Sequence, residues 1–191
     1  MTVTLTDIRY LHQASNFENS FPACARIAKS LVLTMNYFKV FRCPAMVASL
    51  IPLAMNLSLG AEDSEREWVA GAFSEECSQE EYLVGEEAIE RVAFSLGGRV
   101  MIAPVLAGIE AFSTSPDPLH RRAAVAALAR LAEGCTKDFL KVITTSMAFL
   151  NTALQDASPR VQYEAAQAVG QMSLLFPDAI EGLMNAFANI D

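Results

Sequence analysis

The densest run of ionisable side chains in the sequence is acidic. Residues 60–81, GAEDSEREWVAGAFSEECSQEE, hold eight carboxylates and one arginine. Such a segment attracts basic chains over a long range, and Trp68 and Phe73 could anchor an interface within it. Two interpretations stay open, a solvated flexible insertion and an arm that binds a basic partner. The candidate partner-binding residues are Glu62, Asp63, Glu65, Glu67, Trp68, Glu75, Glu76, Glu80 and Glu81.

A second set of polar side chains recurs at helical spacing near the carboxyl end. Arg160, Glu164, Gln167 and Gln171 are spaced by four, three and four residues, so they share one face of a helix. This face is either simply solvated or able to hold an extended partner. With the equivalent positions of the two preceding repeats, the candidates for binding are Glu90, Arg130, Arg160, Glu164, Gln167 and Gln171.

Residues suited to catalysis are scarce. The sequence has two histidines, His12 and His120, and we find no nucleophile, base and acid set, no metal-spaced cluster and no glycine-rich phosphate loop. The adjacent Glu86 and Glu87 lack a visible cleft, and the basic run that starts at His120 is typical of the start of a helix. We therefore expect no enzyme activity, no metal and no cofactor.

Composition limits the class of partner. The net charge of −8 would repel a phosphate backbone, so nucleic acid is not expected to bind. The four cysteines form no CxxC pair, which favours reduced thiols inside a cell. The stretch from Cys43 to Ala61 carries no charge, but its prolines, serines and asparagine favour a buried helix over a membrane span.

An internal repeat predicts the elements that position these residues. When the sequence is shifted by 41, Arg121–Leu131 falls on Gln162–Met172 with alanines and larger apolar residues in register. A shift of 36 places the segment around Ile89 on the one around Val125. This period is typical of HEAT or armadillo helix pairs. The predicted fold is all-α, a HEAT-repeat superhelix of antiparallel helix pairs.

Proline-bearing turns and apolar periodicity set the predicted helix bounds. Residues 1–19 are indistinct, and residues 20–191 form about four repeats, the last incomplete, with the acidic insertion at 60–81. Leu183, Met184 and Phe187 are expected to expose apolar surface. The predicted helices are Ser20–Phe38, Pro44–Leu59, Tyr82–Leu96, Arg99–Ser113, Pro118–Cys135, Lys137–Gln155, Pro159–Leu175 and a half-pair from Pro177 to Asp191.

Longer motifs carry a family resemblance. GEEAIERVAFSLGGRVMIAPVL, HRRAAVAALARLAEGC and LQDASPRVQYEAAQAVGQM resemble the middle HEAT repeats of the karyopherin-beta (importin-beta) family, nearest the importin beta-3 branch. The resemblance implies a nuclear import receptor that binds basic localisation signals on its concave second helices. It also implies an acidic loop linked to cargo and Ran exchange, contacts with Ran GTPase and nucleoporins, and residence in cytoplasm and nucleus. The alternative is a general HEAT scaffold with no transport role.

One family feature is expected to be incomplete in this chain. Such repeats often pair an aspartate of the turn with a basic residue on the second helix. In this sequence the alignment places Gln162 opposite Asp156 and leaves Arg121 with only Ser115.

Overall fold

The computed structural model describes residues 44–59 and 80–181 as helices joined by turns, with no strand in those two stretches. This agrees with the predicted all-α class. The helices are α1 (Pro44–Leu57), α2 (Glu80–Leu96), α3 (Gly98–Ser113), α4 (Pro118–Gly134), α5 (Thr136–Phe139), α6 (Ile143–Ala153) and α7 (Pro159–Leu175).

The helices pack in two layers. Contacts join α1 with α2, α3 with α4, and α6 with α7, so each first helix lies on the second helix that follows it. The second helices also contact each other in order, α2 with α4 and α4 with α7, while α1 contacts α3. Pairing within a unit and stacking on the next unit is the contact pattern of a solenoid of helical repeats.

The core runs along α4, which is surrounded by its neighbours. All residues from Arg122 to Ala129 on this helix are buried. The small side chains in RRAAVAALARL let α2, α3 and α7 approach closely, and Leu128 and Leu131 fill the space between them. The helix therefore gains its stability from packing around most of its circumference rather than from one apolar face.

Local sequence signals explain where most helices begin and end. Pro118 starts α4, and the Asp117 side chain accepts a hydrogen bond from the N–H of Leu119 at 2.9 Å. Pro159 likewise lies in the first turn of α7, but the Ser158 side chain before it makes no cap hydrogen bond. Between α2 and α3 the chain turns on Gly97, whose φ of 78° favours glycine. As predicted, Pro52 and Pro104 lie inside α1 and α3.

The predicted single helix Lys137–Gln155 is wrong. The chain forms the short α5, turns at residues 140–142, and resumes as α6 at Ile143. Phe139 at the end of α5 is fully buried and stacks on Phe176 at 5.5 Å between ring centroids. The β-branched residues that follow, beginning with Val142 and Ile143, favour a helix only weakly, so packing of Phe139 decides the local path.

Several predictions fall outside the described residues. These are the segment 1–19, the helix Ser20–Phe38, the exposed Leu183, Met184 and Phe187, and the insertion from residue 60 to residue 79. Residues 177–181 are helical, which agrees with the predicted start of a further helix. Within the described stretches no helix has the length and apolar character needed to cross a membrane.

Candidate partner-binding surface

Charged side chains from the three second helices meet in one connected set that also includes one glutamine. They are Glu86 and Glu90 on α2, Arg122, Arg130 and Glu133 on α4, and Glu164 and Gln171 on α7, which we call the second-helix strip. Each residue is linked to at least one other by an ion pair or a hydrogen bond. The strip therefore crosses the surface from one repeat to the next.

Arg130 is the centre of the part nearest α2. One of its terminal nitrogens lies 3.1 Å from Glu86 Oε2, and the other lies 3.1 Å from Glu133 Oε2 and 3.9 Å from Glu90 Oε2. The Glu133 carboxylate in turn accepts a hydrogen bond from the Gln171 amide on α7. A single guanidinium thus forms ion pairs with three carboxylates from two helices.

Arg122 is the centre of the more buried part. Its guanidinium lies 3.3 Å from Glu164 Oε2 and 3.6 Å from Glu86 Oε1. It also donates to the backbone carbonyl of Ser58, just beyond the end of α1. Since the Arg122 side chain is only 9% exposed, this residue ties α1, α2 and α7 to α4 from within the structure.

The strip carries more negative than positive charge. Four carboxylates share two guanidinium groups. Burial, helped by the charge of Glu133, raises the pKa of Glu90. Burial and the nearby Glu86 likewise raise the pKa of Glu164. In both carboxylates burial is the main reason that the ionised form is disfavoured, and a neighbouring carboxylate adds to the effect.

The predicted binding residues are only partly brought together. Glu90 and Arg130 form an ion pair, and Glu164 and Gln171 join the strip through Arg122 and Glu133. The other two candidates lie on α7 as well. Arg160 is 5% exposed in the first turn of α7, and the exposed Gln167 donates to the Tyr163 hydroxyl at 2.9 Å.

Three residues of the strip were missed by the sequence analysis, namely Glu86, Arg122 and Glu133. The sequence does contain a signal for Glu86 and Arg122. Glu86 precedes Arg122 by one repeat shift of 36, and Arg122 precedes Glu164 by 42 residues, so opposite charges alternate from repeat to repeat. Opposite charges at equivalent or adjacent positions of stacked second helices indicate ion pairs between helices.

Most of the acidic insertion falls in a stretch that the structure does not describe. Residues 60–79, and with them Glu62 to Glu76 and Trp68, lie outside the described residues. The prediction that Glu80 and Glu81 belong to the insertion is wrong, because they form the first residues of α2. Carboxylates in a first helical turn interact favourably with the positive end of the helix dipole, which explains the earlier start.

Nothing in the described part of the chain resembles a metal site, since no group of three metal-binding side chains was found there. The His120 ring donates a hydrogen bond from Nδ1 to Asp117 Oδ2 at 2.8 Å, and it packs on the Phe112 ring with 5.0 Å between ring centroids. These contacts hold the first turn of α4 in place. The basic run at His120 was interpreted from the sequence as the start of a helix.

Comparison with known proteins bears on both the fold and the surface. The family profile described as "HEAT repeats" matches residues 104–190, and the profile described as "Importin repeat" matches residues 37–103. The two matches adjoin without overlap. Importin subunit beta-3 of Saccharomyces cerevisiae is 29% identical over 133 residues, which cover 69% of this chain and 12% of that protein. The chain belongs to the karyopherin-beta family.

Solved karyopherin structures support the same fold. A crystal structure of a Kap121p mutant matches with a TM-score of 0.78 and 23% identity, covering 88% of this chain and 17% of that one. Kap121p bound to RanGTP matches with a TM-score of 0.66 and 23% identity, covering 91% and 19%. Other structures of Kap121p are described as bound to Nup53p and to Pho4p, at 22% and 20% identity. The predicted HEAT-repeat solenoid is confirmed.

The karyopherin pairing of a turn aspartate with a basic residue is present, contrary to the expectation from the sequence. Arg121 pairs with Asp156, and it also donates to the backbone carbonyls of Ser115 and Pro116. Gln162 donates to the Asp156 carbonyl rather than to its carboxylate. The sequence comparison looked for the partner of Asp156 within its own repeat. The partner is Arg121, which lies 35 residues earlier on the second helix of the preceding repeat.

Proposed function

We propose that this chain is part of a nuclear import receptor and that its second-helix strip binds basic segments of cargo proteins. The observation that carries the proposal is the excess of carboxylates on the strip, where four share two arginines. Glu90 and Glu133 offer this charge to a partner, since their side chains are 30% and 27% exposed. An extended basic segment lying across α2 and α4 would supply the missing cations.

The comparisons support the wider setting of the proposal. Kap121p, whose repeats share this fold, has been solved with RanGTP, with Nup53p and with Pho4p. By analogy we propose that a receptor containing this chain binds Ran GTPase and nucleoporins and moves between cytoplasm and nucleus. The acidic residues Glu62 to Glu81 would assist cargo and Ran exchange by attracting basic surfaces over a longer range. Because the chain spans 12% of the related importin subunit, these activities belong to the whole receptor.

The direct test is binding of a labelled lysine-rich peptide to the chain, followed by fluorescence anisotropy. Wild type should bind at about 50 mM salt and lose most of its affinity at about 500 mM, since screening weakens exposed charge pairs. Glu90→Gln should weaken binding about three- to fivefold at the lower salt. A peptide with glutamine in place of every lysine should not bind.

The matched control is Glu110→Gln, which changes the net charge equally but lies exposed on α3, a first helix. It should reduce affinity by less than about 1.5-fold, through long-range attraction alone. Absence of binding to wild type at low salt would contradict the proposal. Binding that is insensitive to both salt and Glu90→Gln would instead favour a scaffold that takes non-basic partners.

A further inference from the structure

We propose that Ser115, in the turn between α3 and α4, is a phosphorylation site for a proline-directed protein kinase, and that its phosphate takes Arg121 away from Asp156. The inference goes beyond the function proposed above and does not depend on it. It concerns the two turns that lead into the second helices α4 and α7.

The chain has two Ser-Pro dipeptides, Ser115-Pro116 and Ser158-Pro159. Proline-directed kinases require a proline immediately after the acceptor, and the residue before a proline is restricted to the extended conformations that a kinase cleft receives. The structure distinguishes the two serines. Ser115 is partly exposed and is followed by an exposed proline, whereas Ser158 is 4% exposed. Of the two, Ser115 is therefore the serine that a kinase can reach.

The turn that contains Ser115 is built like the turn that contains Asp156. Under the repeat shift of 41 these two residues correspond. Each side chain accepts a hydrogen bond from the backbone N–H two residues later, at 3.2 Å for Ser115 and 2.8 Å for Asp156. Each backbone carbonyl accepts one from the side chain six residues later, Arg121 at 3.0 Å and Gln162 at 2.7 Å. A phosphate on Ser115 would therefore place an anion where the next turn already has one.

The two turns differ in the cation that such an anion meets. Asp156 is paired with Arg121, but the residue on α2 that corresponds to Arg121 under the shift of 36 is Gly85, which cannot pair with an anion. Arg121 itself is close, because its Nη1 donates to the carbonyls of Ser115 and Pro116 at 3.0 and 2.8 Å. A phosphoserine carries a charge of about −1.5 to −2 at pH 7. Arg121 would then face two anions, and the more highly charged phosphate would be its preferred partner.

The modification itself is a phosphoryl transfer from ATP. Ser115 Oγ forms a bond to the γ-phosphorus, the bond from that phosphorus to the bridging oxygen breaks, ADP leaves, and the hydroxyl proton passes to a base of the kinase. Asp156 also accepts the N–H of Ser158, immediately before α7, so its release from Arg121 would loosen the start of α7 from α4. Phosphorylation would thus regulate how firmly the third repeat is held on the second.

The first test treats the full chain with ATP and a purified mitogen-activated protein kinase, a proline-directed class, and locates the phosphate by mass spectrometry. We expect phosphate on Ser115 and none on Ser158, and Ser115→Ala should accept none. Short peptides around each serine serve as controls for the dipeptides themselves, and both should be modified. A Ser115 peptide or a folded chain that stays unmodified at Ser115 would overturn the site, as would a folded chain modified as readily at Ser158.

The second test compares thermal unfolding of the phosphorylated and untreated chains. Phosphorylation should lower the midpoint by about 3–6 °C, and treatment with a phosphatase should restore it. Asp156→Asn should lower the midpoint of the phosphorylated chain by less than about half as much as it lowers that of the untreated chain, because the bond to Arg121 is already lost. Equal effects of Asp156→Asn in the two forms, or a phosphorylated chain as stable as the untreated one, would overturn the competition for Arg121.

Discussion

Arg121 on α4 holds the carboxylate of Asp156 with two hydrogen bonds, from Nε to Oδ2 at 2.8 Å and from Nη2 to Oδ1 at 2.9 Å. The same Oδ1 accepts the N–H of Ser158, immediately before α7 begins. One carboxylate therefore fixes the turn, the start of α7 and the preceding second helix. Both side chains are largely buried, at 20% and 14% exposure, so water screens the pair only weakly.

Asp156→Asn should destabilise the chain in a pH-dependent manner. Hydrogen bonds from Arg121, with further help from Ser158, lower the pKa of Asp156 in the folded state. Because the pKa is lower in the folded state than in the unfolded state, the ionised carboxylate stabilises the fold at a pH above the unfolded pKa. This stabilisation is lost as the pH falls through the folded pKa. The variant should lose about 1–2 kcal/mol of unfolding free energy at pH 7 in urea titrations. The difference should shrink towards about pH 3.

The control for this measurement is Asp178→Asn, which removes an exposed carboxylate near the end of the described chain. It should change the unfolding free energy by less than about 0.5 kcal/mol. A loss in Asp156→Asn that stayed constant from pH 7 to about pH 3 would contradict the assigned role of the ionised carboxylate.

Gly134→Ala should push α2 and α4 apart. The added methyl group would meet the Ala93 Cβ at 2.4 Å and the Glu90 carbonyl oxygen at 2.9 Å, neither of which can move without the α2 backbone. We expect a loss of about 1–3 kcal/mol in unfolding free energy. Gly170→Ala is the matched control, because nothing lies within 4 Å of its added Cβ. It should be neutral or stabilising by about 0.5–1 kcal/mol in thermal unfolding. Equal effects of the two changes would contradict the close contact.

Most helix positions could be predicted because their signals are local. Prolines after polar turns start α4 and α7, and Gly97 separates α2 from α3. The break between α5 and α6 could not be predicted in this way. It depends on Phe139 meeting Phe176, a contact between residues far apart in the sequence. Local propensity near Val142 is too weak to set the path without it.

The polar surface was predicted less completely than the helices. Helical spacing correctly grouped Glu164 with Gln171, but it said nothing about which charges on neighbouring helices meet. Long side chains pair at offsets that differ from the repeat shift, as Arg130 does with Glu86 at 44 residues. Such offsets depend on how far one helix slides along the next and on the reach of each arginine, neither of which periodicity reveals.

Glu164→Gln should stabilise the chain at neutral pH, opposite in sign to Asp156→Asn. Burial and the charge of Glu86 outweigh the attraction of Arg122 and raise the pKa of Glu164. Because the pKa is higher in the folded state than in the unfolded state, the protonated carboxyl stabilises the fold fully at a pH below the unfolded pKa. This stabilisation is lost as the pH rises through the folded pKa. A neutral amide avoids that loss. Urea unfolding at pH 7 should show a higher free energy for the variant, and the two proteins should converge at about pH 4. Lower stability of the variant at pH 7 would show that the pair with Arg122 dominates.

Arg130→Gln gives the sharpest test of the strip, because it should strengthen a binding that Glu90→Gln weakens. Arg130 occupies the carboxylates that a basic partner needs, so its removal frees Glu90 and Glu133 for that partner. The affinity for the lysine-rich peptide should rise about three- to tenfold at low salt in anisotropy measurements.

The control for Arg130→Gln is Arg91→Gln, which removes the same charge from α2 but from a residue paired with Glu87, outside the strip. It should raise the affinity by less than about twofold through the change in overall charge. Because Arg130 also neutralises the buried Glu86, thermal unfolding of each variant must accompany the binding data. A folded Arg130→Gln protein that bound the peptide no better than Arg91→Gln would show that the strip's carboxylates are satisfied within the chain and are not the surface that receives a basic partner.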